Sequence, residues 1–139
     1  NQRVMTSSDG RNWTLRTAAA ANSWTAICWA AELGLLVALS SSGRGNRVMT
    51  SPDGITWSSR NSAADNAWTS LCWSPQRELL VAVASSGSSR IMTSADGITW
   101  TVRSTPASIS WRSICWSPQR SQFAAVSNSG TGNRVMVSP

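Results

Sequence analysis

Arg47-Val48-Met49-Thr50-Ser51-Pro52-Asp53-Gly54-Ile55-Thr56-Trp57 decides the reading of this chain, because it is not unique in it. It recurs as Arg3-Val4-Met5-Thr6-Ser7-Ser8-Asp9-Gly10-Arg11-Asn12-Trp13 and as Arg90-Ile91-Met92-Thr93-Ser94-Ala95-Asp96-Gly97-Ile98-Thr99-Trp100. A last copy opens at Arg134 and stops at Ser138-Pro139. Working outward, Trp24, Trp68 and Trp111 lie 44 and 43 residues apart, as do Cys28, Cys72 and Cys115, and Trp29, Trp73 and Trp116. All nine Trp and all three Cys fall on this lattice. Sliding Arg3–Gly45 onto Arg47–Ser89 matches 23 of 43 residues. The chain is one repeated unit, and a period of this length marks propellers, solenoids or arrays.

Helix is a poor reading of the unit. Ser and Thr make up 38 of 139 residues, apolar runs are short, and Gly punctuates the loops. Four strands per repeat fit better. In the second copy the first is Trp68–Trp73 and the second is Leu79–Ala84, apolar on both faces and so expected to be covered on both. The third is Arg47–Ser51 and the fourth Ile55–Arg60. Turn chemistry separates them: Ser74-Pro75-Gln76-Arg77, Ser85-Ser86-Gly87 and Pro52-Asp53-Gly54, where Pro suits the second turn position and Gly a positive φ. Four antiparallel strands in about 44 residues match a β-propeller blade, of which rings use 4–8. A β-solenoid or a sandwich is the competing architecture. The expected class is all-β, with a partial blade at 1–17, blades at 24–60 and 68–103, and a partial blade at 111–137. These make thirteen strands, one more than three blades need. Either the chain is one piece of a longer array or its ends pair across subunits.

The three turns Ser7-Ser8-Asp9-Gly10, Ser51-Pro52-Asp53-Gly54 and Ser94-Ala95-Asp96-Gly97, each running on to Trp13, Trp57 or Trp100, resemble the Asp box, the bacterial neuraminidase repeat Ser-x-Asp-x-Gly-x-Thr-Trp. They depart from it by one residue fewer between Asp and Gly, which implies a tighter turn. The resemblance implies propeller blades with the motif on the turn between the third and fourth strands. It also implies a structural role away from any ligand face for Asp9, Asp53, Asp96, Gly10, Gly54 and Gly97. Physically, an Asp carboxylate can accept N–H groups of its own turn.

Neuraminidases use a Tyr nucleophile, an acidic partner and an Arg cluster. This chain has twelve Arg but no Tyr, His or Lys. Without His it lacks the commonest general base and metal ligand. Outside the turns only Glu32, Asp65 and Glu78 are acidic, and none recurs in every copy. Neither catalysis, a metal nor a cofactor is expected. The three Cys sit in apolar segments and read as small buried hydrophobes, too far apart for disulfides. No apolar run approaches a membrane span, and no leader is visible ahead of Arg3.

Near-identical blades present near-identical pockets, which suits multivalent binding. On one propeller face the sequence places Arg16, Arg60 and Arg103, then Asn22 and Asn66 (with Ile109 in the third place), then Trp24, Trp68 and Trp111, then Arg47, Arg90 and Arg134. An aromatic plate with Arg and amide donors suits a sugar ring or a carboxylate, a lectin-like reading. The competing reading is that the Arg stems pack on Trp at the blade seams. The net charge of +6 raises nucleic acid as a partner, but the Arg residues form no run and no nucleic-acid motif is present. A structural or protein-interaction propeller fits the fold equally. Three blades cannot close a ring, so the partner expected first is the chain itself, as a homodimer of six blades or a homotrimer of nine.

Overall fold

The computed structural model describes all 139 residues. The fold is all-β: thirteen strands form four antiparallel sheets in chain order, with one 3-10 turn at Ala31–Leu33 as the sole helical element. The first sheet holds β1 (Gln2–Thr6) and β2 (Thr14–Thr17). The second runs β3 (Trp24–Ala30), β4 (Leu35–Ser40), β5 (Val48–Ser51) and β6 (Ser58–Arg60). The third repeats it as β7 (Trp68–Ser74), β8 (Leu79–Ala84), β9 (Ile91–Ser94) and β10 (Thr101–Arg103). The fourth has β11 (Trp111–Ser117), β12 (Gln122–Ser127) and β13 (Val135–Val137). Each sheet is a simple meander in which consecutive strands pair. No helix is long and apolar enough to cross a membrane.

One boundary departs from the sequence expectation by more than a single residue. The fourth strand of the repeat does not begin at Ile55 but at Ser58. The N–H groups of Ile55 and Thr56 both donate to the Asp53 carboxylate at 2.8 Å, which leaves them unable to join a ladder.

Between the first and second strands of each repeat the chain turns through a left-handed residue. In the first copy this is Gly34, at φ 61°, and in the others Glu78 at 48° and Ser121 at 50°. Side chains seldom adopt that conformation.

Sheets stack face to face through three apolar seams. Ala18, Ala38 and Met49 with Val4, Trp24 and Trp57 join the first and second sheets. Val37, Leu39, Val48, Trp68, Leu71, Leu80, Met92 and Trp100 join the second and third. Val81, Val83, Trp111, Ile114 and Ala125 join the third and fourth. The first strand of each repeat runs beside that of the next, β3 against β7 and β7 against β11. A bulge helps weld them. The pairing of β3 slips at Thr25 and that of β7 at Thr69. Each displaced hydroxyl donates to a backbone carbonyl of the following sheet, Thr25 to Trp68 at 2.7 Å and Thr69 to Trp111 at 2.8 Å. A bulge re-aims a side chain in this way.

Burial separates the copies of a residue and corrects one expectation. Trp68 and Trp111 are the largest fully buried side chains, whereas Trp13 and Trp29 are 54% and 50% exposed. The Cys expected to be buried alike are not alike: Cys28 and Cys72 are partly buried, but Cys115 is exposed. All three are free thiols.

Candidate functional site

The acidic turns are self-contained. In the second copy Ser51 Oγ donates to Asp53 Oδ1 at 2.9 Å and accepts the Gly54 N–H at 2.8 Å. The Trp57 indole N–H then closes on the Gly54 carbonyl at 3.0 Å. The same bonds recur at Asp9 and Asp96. Backbone N–H groups of Asn12 and Arg11 hold the Asp9 carboxyl well below the usual carboxylate range, and those of Thr56 and Ile55 lower that of Asp53. For Asp96, slight burial pushes upward, but the Thr99 and Ile98 N–H groups outweigh it. A carboxylate held ionised by its own turn is a poor proton donor. Gly10, Gly54 and Gly97 occupy the left-handed positions of these turns, at φ 70°, 73° and 73°.

The rim residues lie in order along each repeat, and each Arg, Asn and Trp among them makes at least one hydrogen bond within the chain. Arg16, Arg60 and Arg103 each donate Nε to a Thr hydroxyl of the neighbouring strand, at 3.1, 3.0 and 2.9 Å. Arg47 donates to the carbonyls of Gly43, Ser41 and Asn66 at 2.8–3.0 Å and lies 3.5 Å from the Asp65 carboxylate. Arg90 donates to the carbonyls of Gly87 and Ser85, and Arg134 to that of Gly130. Asn22 and Asn66 are buried, each donating to a loop carbonyl, Asn46 and Ser89. Trp24, Trp68 and Trp111 each donate their indole N–H to the carbonyl four residues earlier, Ala20, Ala64 and Ala107. With Trp68 and Trp111 0% and 1% exposed, those rings present no face on which a sugar could stack. The rim is a network of side chains tying loops together, and much of the Arg excess is anchored there.

The larger concavity lies elsewhere. A groove of about 450 Å³ opens between the third and fourth sheets, lined chiefly by Leu79, Val81, Ile91, Phe123, Met136 and Val137. Sequence reasoning missed it, although repeat arithmetic could have found it. Its walls are the counterparts of residues that, one repeat earlier, enclose Gly97 and Trp100. A second hollow of about 260 Å³ includes Thr93, Asp96 and Arg103, groups already bonded to neighbours. Nowhere do three His, Cys, Asp or Glu come together to hold a metal ion.

Also missed were two bridges between sheets. The Trp116 indole N–H donates to Gln76 Oε1 at 2.7 Å, and that of Trp73 donates to the Glu32 carboxylate. Glu32 and Gln76 are counterparts in successive turns, as are Trp73 and Trp116.

No protein-family model matches the chain, and no curated protein is recognisably similar to it.

Proposed function

We propose that the four sheets are blades of a β-propeller and that the protein is a non-enzymatic module whose role is structural, exercised by assembling with itself. The seams between sheets repeat the same contacts, as successive blades require. The observation that carries the assembly is the fate of equivalent residues. Met49 and Met92, which face the preceding sheet, are 1% and 0% exposed, while Met5 in the first sheet is 57% exposed. Leu71 and Ile114 are 7% and 8% exposed, while Ile27 is 56%. At the other end Leu39 and Val83 are fully buried, while Val126 is 48% exposed. Both ends of the stack therefore offer the apolar faces that elsewhere meet another sheet, and such surface drives association.

Head-to-tail joining of identical chains closes into a ring when the rotation allows. Two chains give six blades, within the usual range of about 4–8, and three give nine. The dimer is favoured on that ground. A lectin-like role has less to stand on, since each rim Arg and Asn is already tied to a neighbour within the chain and two of the three rim Trp are buried. Light scattering tests the reading. The expected mass is twice the 14.9 kDa of the chain, and a soluble monomer at micromolar concentration would remove the assembly claim.

A further inference from the structure

The groove between the third and fourth sheets has a shape that the chain itself explains. One repeat earlier the equivalent position is filled. There Gly97 lies against Val37, Leu80 and Leu35, each close to a Cβ built on it, and Trp100 is buried in the same cluster. Advanced by one repeat, those three residues become Val81, Phe123 and Leu79, all of which line the groove. The groove is thus the seat for a Ser-x-Asp-Gly-x-x-Trp turn. Three such turns exist in the chain. Trp57 and Trp100 are packed in seams, and Trp13 has no seat and stands 54% exposed.

We infer that the groove is the binding site for Trp13 of a second copy, whose β1–β2 hairpin takes the place held by β13. This deepens the assembly reading and rests on it. The exchange is nearly isosteric, because Arg3-Val4-Met5 and Arg134-Val135-Met136 carry the same side chains in the same order. The incoming strand has the advantage. β1 spans five residues and brings β2 already paired on its outer edge, whereas β13 spans three and has no outer partner. Met5 then occupies the place of Met136 in the third seam, to which Met136 now contributes.

Further residues fall into register without adjustment. The second sheet of the incoming copy lies against β11 of the first, which covers Ile27 and Trp29. The Trp29 indole N–H then meets Gln119, the counterpart of Glu32 and Gln76, just as Trp73 and Trp116 meet those two. Cys115, exposed in the single chain, becomes covered as Cys28 and Cys72 are.

The test places a photoreactive benzoylphenylalanine at position 13 of the full chain and maps the cross-links by mass spectrometry. Cross-links to peptides containing Leu79–Val81 or Phe123 of a second chain are expected. Cross-links confined to the same chain, or to other surfaces, overturn the inference. In parallel, Trp13→Ser should weaken the dimer by about a hundredfold or more, the scale of losing a buried Trp. Its circular dichroism should be unchanged, since Trp13 is exposed in the single chain. Cys115 should then react with a thiol reagent faster than in the wild type. If Trp13→Ser leaves an undiminished dimer, the seat is wrong while the assembly reading survives. If the wild type is monomeric, the assembly reading itself has failed.

Discussion

Trp116 and Gln76, 40 residues apart and on adjacent sheets, are joined by an indole N–H···O bond of 2.7 Å. The bridge belongs to the repeat, because Trp73 reaches Glu32 in the same way. Gln76→Ala should therefore lower unfolding stability by about 0.5–1.5 kcal/mol, the worth of one such bond. Gln119→Ala, at the exposed counterpart, should leave the unfolding of the single chain unchanged. Urea titrations of both variants, at a protein concentration low enough to dissociate the dimer, read the difference, and equal effects there would deny the bridge a role.

Acid should undermine the three turns together. Asp9, Asp53 and Asp96 all ionise below their ordinary value of 3.8. Their stabilisation is complete above the unfolded carboxylate range of about 4 and is lost as pH falls through the folded values. Melting temperature should hold down to about pH 5 and fall steadily below about pH 4. Replacing all three by Asn should flatten that limb. A limb that persists in the triple variant would place the acid sensitivity elsewhere.

Alkali acts through the thiols, with the opposite sign. Burial pushes Cys28 up to about 11 and Cys72 to about 12, from an ordinary 9.0. The unfolded chain then loses these protons first. Their contribution is intact below about pH 8.5 and declines as pH rises toward the folded values. No Lys, His or Tyr titrates in that window. The double variant Cys28→Ala/Cys72→Ala should lose the decline between pH 9 and 11 in a pH series of thermal melts. An unchanged slope would assign it to something other than these thiols.

Two loop substitutions should act in opposite directions. Gly87 sits at φ 106°, and a Cβ there would run into the Asn66 side chain. Gly87→Ala should cost about 1–3 kcal/mol. Glu78 holds the left-handed conformation that Gly34 holds in the first copy. Glu78→Gly should stabilise by up to about 1 kcal/mol, the strain relieved less the extra freedom of the unfolded chain. Chemical denaturation measures both, and a shared sign would contradict the backbone argument.

Much of the architecture was determined by the sequence alone. The count of thirteen strands and their order follow from the repeat lattice, and the second strand of the third sheet is Leu79–Ala84 in both readings. Such features are local: alternation, turn residues and hydrogen bonds reaching two or three positions along the chain. The late start of β6 is also a local effect, though it turns on which N–H groups Asp53 claims. The rim was legible as a row of positions but not as chemistry. The partners of Arg47 include a carbonyl 19 residues away, and those of Asn22 and Asn66 lie 24 and 23 away. Only the tertiary structure decided which copy of a repeated residue is buried. Met5, Met49 and Met92 sit in nearly identical segments, yet the first is exposed and the others are not. Burial is a property of the neighbouring sheet rather than of the residue, and in a stack of like sheets the two ends each lack a neighbour.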